Sequence, residues 1–86
     1  SGEINSTVTS VEDATARVRA AFATRGTEDS LDGLTVIGSV AEVEPFWWFS
    51  VRPSNTEPLL RLNVEAADHA TMERIRDEVL SLIRMA

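Results

Sequence analysis

The chain has 86 residues, of which 43% are hydrophobic and 26% charged, the balance of one small globular domain with a single modest core. It contains no cysteine, which excludes disulfides, thiolate metal ligands and a cysteine nucleophile. A net charge of −6 without a single lysine argues against nucleic acid and against an acidic membrane surface, no apolar run approaches the roughly 20 residues that span a bilayer, and the N-terminus lacks the basic-then-apolar layout of a signal peptide, so a cytoplasmic location is expected.

Glu3 to Val8, with Ile4 and Val8 apolar among polar neighbours, reads as a short edge strand. Ser10 followed by Asp13 resembles a capping box, and Val11, Ala14, Val18, Ala21 and Phe22 recur at helical spacing, which predicts a helix from about Val11 to Thr24. Gly26 is a suitable stop, and Thr27 to Ser30 reads as polar linker. Asp32-Gly33 supplies turn chemistry before a strand over Leu34 to Ile37, ended by Gly38 and Ser39.

The run Phe46-Trp47-Trp48-Phe49-Ser50-Val51 has the aromatic and β-branched content of a strand and is expected to pair back on Leu34 to Ile37. Trp47 and Trp48 cannot both point inward from a regular strand; one face lines the core, while the other either is exposed or meets a neighbouring domain. Leu60, Leu62, Val64 and Ala66 alternate with Arg61, Asn63 and Glu65, a strand with one buried and one wet face. Asp68 is a good N-cap for a final helix with Met72, Ile75, Val79, Leu82 and Ile83 on one stripe. Together these elements predict an α+β fold, a mainly antiparallel four-stranded sheet with two helices packed on one face, over the single domain 1–86.

Charge is unevenly distributed. From Phe46 to Val64 two arginines, Arg52 and Arg61, stand against Glu57 alone, giving +1 and leaving −7 elsewhere. Within that span Val51-Arg52-Pro53-Ser54-Asn55-Thr56-Glu57-Pro58-Leu59 is a loop dense in hydrogen-bonding side chains and bounded by two prolines. A guanidinium offers phosphate a planar fork of donors, and hydroxyls, the Asn amide and backbone N–H groups complete such a shell, while prolines lower the ordering cost. The same residues also fit a plain turn, because Ser, Asn and Thr bond local backbone, and Arg52 also fits a surface charge paired with Glu57. His69, the one histidine, is expected to be exposed in the first turn of the last helix, and the acid pairs Asp77-Glu78 and Glu28-Asp29 read as solvated surface charge rather than metal ligands.

The stretch Arg52-Pro53-Ser54-Asn55-Thr56-Glu57-Pro58-Leu59-Leu60-Arg61, followed by Val64-Glu65-Ala66, resembles the C-terminal signature of the phosphohexomutase (phosphomannomutase/phosphoglucomutase) family, and the opening Ser1-Gly2-Glu3-Ile4-Asn5 resembles the way this domain begins. The resemblance implies a TATA-box-binding-protein-like fold. It implies a fragment of a larger isomerase of carbohydrate metabolism that moves a phosphoryl group between the 1- and 6-positions of a hexose. Arg52, Ser54, Asn55 and Thr56 would then hold the phosphate of a mannose or glucose phosphate, with Glu57 bracing the loop and Arg61 behind it, pairing with Glu57 or Glu65. On the same resemblance the catalytic serine and the magnesium loop belong to other domains of the enzyme. This chain would then hold no catalytic residue, metal or cofactor, and would be inactive alone. A stand-alone anion-binding or regulatory module is the alternative.

Overall fold

Local chemistry fixes both helices. The computed structural model describes residues 3–29, 33–38, 46–54 and 57–85, so the expectations that rest on Asp32, Ser39, Asn55 and Thr56 lie outside the described residues. Helix α1 (Val11–Phe22) is capped by Ser10, whose hydroxyl accepts a hydrogen bond from the backbone N–H of Asp13 at 3.2 Å. Helix α2 (His69–Ile83) is capped by Asp68, whose carboxylate accepts from the Thr71 N–H at 2.7 Å. Each cap satisfies a donor that the first helical turn leaves without a partner.

The strands are β1 (Ile4–Thr7), β2 (Gly26–Asp29), β3 (Leu34–Gly38), β4 (Trp47–Pro53) and β5 (Leu59–Ala66). They form one antiparallel sheet in the order β1-β5-β4-β3-β2. The sheet therefore has five strands where the sequence predicted four, and the extra one is β2, expected to be linker. Its sequence Gly-Thr-Glu-Asp carries no apolar alternation because it is an outer strand whose inward-facing Glu28 meets Arg19 of α1 at 2.9 Å instead of entering the core. Gly26 pairs with Gly38, and a Cβ on Gly26 would lie 2.3 Å from the Ile37 carbonyl oxygen, so the close approach of β2 to β3 depends on glycine there.

One face of the sheet carries the core. Leu34 and Val36 of β3, Trp47, Phe49 and Val51 of β4, and Leu60, Leu62 and Val64 of β5 are all buried beneath the two helices. From above they meet Ala14, Val18 and Phe22 of α1 and Met72, Ile75, Val79 and Ile83 of α2. Phe22 packs edge-on against both Trp47 (5.6 Å between ring centroids) and Phe49 (4.9 Å), the offset geometry that aromatic quadrupoles favour. Ala21, expected on the α1 stripe, is exposed: successive helical residues turn by about 100°, and by the last turn the inward direction has drifted to Phe22. Leu82, expected on the α2 stripe, is half-buried.

Cross-links between the helices are polar. Arg17 of α1 donates from Nε to the Leu82 carbonyl (2.8 Å) and from Nη2 to those of Ile83 (3.2 Å) and Met85 (2.8 Å). It thus satisfies the carbonyls that the end of α2 leaves open and places a cation at the negative end of that helix. Arg25 lies over the Phe22 ring at 4.4 Å and forms a two-pronged ion pair with Glu78.

Candidate functional site

Strand alternation builds the opposite, open face of the sheet. With Trp47, Phe49 and Val51 turned inward, β4 presents Trp48, Ser50 and Arg52 outward, and β5 presents Arg61, Asn63 and Glu65. The register sets these across from one another as Trp48–Glu65, Ser50–Asn63 and Arg52–Arg61. Together with Glu3 they line a shallow groove of about 320 Å³. Ser50 is buried in its floor at 6% exposure, whereas both guanidinium-bearing residues are exposed.

The connection from β4 to β5 leaves this groove at its arginine end, and its stem is held by backbone bonds. The Ser54 N–H donates to the Leu59 carbonyl at 3.0 Å, one step beyond the Pro53–Leu60 pair, and the Leu59 N–H donates to the Glu57 carbonyl at 2.8 Å. The Val8 N–H donates to the Pro58 carbonyl at 2.8 Å, tying the loop exit to the end of β1. Of the residues read as loop, Val51, Arg52 and Pro53 instead complete β4 and Leu59 begins β5, because the ladder continues to the Pro53–Leu60 pair; Ser54 and Glu57 sit at the two shoulders of the shorter connection, and Asn55 and Thr56 lie outside the described residues.

The arginines divide sharply by environment. Among the described residues, Arg17, Arg19, Arg25, Arg76 and Arg84 are engaged by carbonyls, carboxylates or the Ser6 hydroxyl. Arg52, Arg61 and Arg74 form no ion pair among the described residues; Arg74 lies on α2 near Asp68, and only Arg52 and Arg61 share the open face. The expected pairing of Arg61 with Glu57 or Glu65 is thus not formed there, nor is that of Arg52 with Glu57. The register explains it for Glu65, which stands opposite Trp48, four residues along the strand from Arg61, whereas the residues opposite Arg61 are Arg52 on β4 and Asn5 on β1. Like charges placed directly across an antiparallel ladder disfavour each other. In a chain of net charge −6 this juxtaposition concentrates positive potential at one end of the groove.

A slightly larger depression, about 360 Å³, lies between the start of α1 and the end of α2. Both of its cations are already engaged, Arg17 with the α2 carbonyls and Arg84 with the Ser6 hydroxyl, so the depression is a by-product of helix capping. No cluster of three or more His, Asp or Glu suited to a metal ion occurs among the described residues. His69 is exposed and within 3.0 Å of Glu73, and Asp77, Glu78 and Glu28 are paired with Arg76, Arg25 and Arg19. No helix among the described residues is long and apolar enough to cross a membrane. The sequence reading did not single out Ser50, Asn63 or Trp48 as groove residues; the signal available was their two- and four-residue spacing from Arg52 and Arg61.

Two helices on one face of a five-stranded antiparallel sheet define a small two-layer α+β domain. The family model described as phosphoglucomutase/phosphomannomutase, C-terminal domain, matches residues 3–82. The chain is 40% identical to a phosphomannomutase of Escherichia coli over 86 residues, which is 98% of this chain and 18% of that protein. It is 42% identical over 87 aligned positions to a protein of Xanthomonas campestris pv. campestris named phosphohexose mutases, again 98% of this chain and 18% of the relative. A phosphomannomutase of Methanocaldococcus jannaschii is 60% identical over 37 residues, covering 43% of the chain and 8% of the relative. The chain belongs to the phosphoglucomutase/phosphomannomutase family, as its C-terminal domain, and it spans less than a fifth of the length of the relatives it matches over nearly its whole length.

Proposed function

We propose that this domain grips the phosphate of a hexose phosphate within a larger cytoplasmic phosphohexomutase, where it orients the sugar for reversible phosphoryl transfer between the 1- and 6-positions. The observation that carries the reading is the Arg52–Arg61 pair, two guanidiniums opposed on an open face without a carboxylate partner among the described residues. A phosphate between them would turn their mutual repulsion into two charge-assisted, fork-shaped contacts, the strongest hydrogen bonds available to the chain. Arg61, expected behind the loop, is therefore assigned to direct contact alongside Arg52. Ser54, Asn55 and Thr56 complete the shell, and Glu57 stays at the outer shoulder.

The stem bonds of Ser54, Leu59 and Pro58 support such a role, because a loop whose base is fixed loses little freedom when ligand arrives. The domain contributes binding and orientation, closing over the substrate as a lid, and the bond-making groups, including any that hold magnesium, belong to other domains. Alone, the chain would have no mutase activity.

A chimera tests this reading. With this chain in place of the matching C-terminal segment of the Escherichia coli phosphomannomutase, mutase activity should persist, and Arg52→Ala in the chimera should lower kcat/KM by about 100-fold, as loss of a charge-assisted contact of nearly 3 kcal/mol requires. An active chimera insensitive to Arg52→Ala contradicts the phosphate role, and a folded but inactive one favours a separate anion-binding module.

A further inference from the structure

The open face of the sheet is basic at its loop end and apolar at the other. Trp48 has no place in the core: it belongs neither to the buried cluster nor to the partly buried residues packed against it. Its Cα partner on β3 is Ile37, 45% exposed, and two residues back from it stands Phe46, 52% exposed. The Phe46 carbonyl accepts from the Ala67 N–H at 2.8 Å, which carries the ladder one step beyond the Trp47–Ala66 pair, and alternation then turns Phe46 to the side of Trp48. With strands about 4.8 Å apart and alternate residues about 6.6 Å apart, the three side chains adjoin. Glu65 faces Trp48 across the ladder, Glu3 lines the same groove, and neither acid forms an ion pair among the described residues. Single exposed apolar residues need no explanation, but a contiguous group with a polar rim marks a contact surface.

Two observations say what covers it. The chain matches its family as the C-terminal domain and makes up 18% of relatives that it matches over 98% of its own length, so in those proteins most of the polypeptide precedes this domain. Strand β1 runs antiparallel to β5, with Ile4 opposite Leu62 and Thr7 opposite Leu59. Going back from Ile4 to Glu3 therefore leads away from the loop and toward Glu65, so upstream polypeptide reaches the sheet at its apolar end. We propose that Phe46, Trp48 and Ile37 form the seat of the preceding domain of the same polypeptide, which meets them with an apolar patch and sets a cation against Glu65. Because the two surfaces are joined by the chain, their effective concentration is high and the contact can be smaller than the roughly 1,000 Å² that separate partners need. Arg52 and Arg61 repel that cation, which fixes the direction of docking and leaves the loop end of the face uncovered. The inference rests on family membership and on the strand register, and it stands whether or not the arginines bind phosphate.

Hydroxyl-radical footprinting, read residue by residue by mass spectrometry, tests this in the full-length enzyme that carries the domain, with the 86-residue chain as the uncovered reference. Trp47, 2% exposed, is the internal standard for a protected side chain, and Met85, 51% exposed at the end of α2, is the standard for an open one. In the chain alone Trp48 and Phe46 should oxidise well above Trp47. In the full-length enzyme both should fall to the level of Trp47 while Met85 is unchanged. Ile37→Asp, which puts a charge in the apolar patch, and Glu65→Arg, which opposes the incoming cation, should each return Trp48 to the oxidation seen in the chain alone. Both positions lie outside the core, so circular dichroism of the two variants should match wild type. Equal oxidation of Trp48 in the full-length enzyme and in the chain overturns the proposal, as does protection that survives either variant. Protection that disappears on dilution of the full-length enzyme assigns the face to a second copy and overturns it as well.

Discussion

Arg52 and Arg61 are Cα partners across the β4–β5 ladder, two like charges set opposite each other at the exit to the loop. Their repulsion is a cost the fold carries without ligand, and it gives the pair a sign-reversing signature. Arg61→Gln should raise the stability of the phosphate-free chain by about 0.2–1 kcal/mol, the size of a cross-strand charge effect. In excess phosphate the order should invert, because the wild type gains ligand stabilisation that the variant loses. Thermal melts with and without phosphate read both signs.

Gly38 lies under Trp47. A Cβ at Gly38 would stand 2.5 Å from Cε2, 2.7 Å from Cδ2 and 2.9 Å from Nε1 of that indole. Trp47 cannot retreat easily, since it is held edge-on by Phe22 and stacked on Phe49 at 6.0 Å. Gly38→Ala is therefore expected to destabilise by about 1–3 kcal/mol, the usual range for overpacking a filled core. Urea unfolding checks this, with an unchanged m-value indicating that only the native packing suffers.

Arg17 joins the two helices through the last carbonyls of α2, and the sequence reading passed over it as one polar residue of a helix. Arg17→Met, which preserves the aliphatic stem, should cost about 1–2 kcal/mol through lost charge-assisted bonds at a helix end. Lysine in its place should recover part of that, since it keeps the charge but not the planar fork that reaches Leu82, Ile83 and Met85 together. Hydrogen exchange at the C-terminal end of α2 is the local readout.

Asp68 governs the acid response of α2. The backbone N–H of Thr71 above all, then its hydroxyl and the nearby Arg74 charge, hold this carboxyl below the usual aspartate value of 3.8. A carboxyl lowered in the folded state stabilises above its unfolded value and loses that contribution as pH falls through the folded one. Asp68→Asn keeps an N-cap but removes the titration, so melting temperatures of wild type and variant should converge as pH drops below the aspartate range. Asp68→Ala should melt lower than wild type at neutral pH.

The elements with a buried face were legible in the sequence. Alternation in Leu60 to Ala66, the helical stripes through Val18 and Val79, and the caps Ser10 and Asp68 each reflect a short-range rule that the fold obeys. Even the Trp47-Trp48 pair divided as the pleat demands, one indole inward and one outward. What stayed hidden was determined by partners distant in sequence. Strand β2 has no apolar signal because it is held by backbone pairing and by Glu28 meeting Arg19, and Arg61 acquired its neighbour from a strand register that no local pattern specifies.

The central claim, that Arg52 and Arg61 form a phosphate grip, is tested most directly by an amide NMR titration of the chain with inorganic phosphate beside Arg52→Ala and Arg61→Ala. The account predicts saturable shifts confined to residues 52–57 and Arg61, an affinity on the order of millimolar for a site without its other walls, and loss of those shifts in both variants. Shifts that are absent at high phosphate, or that persist unchanged in both variants, would contradict it.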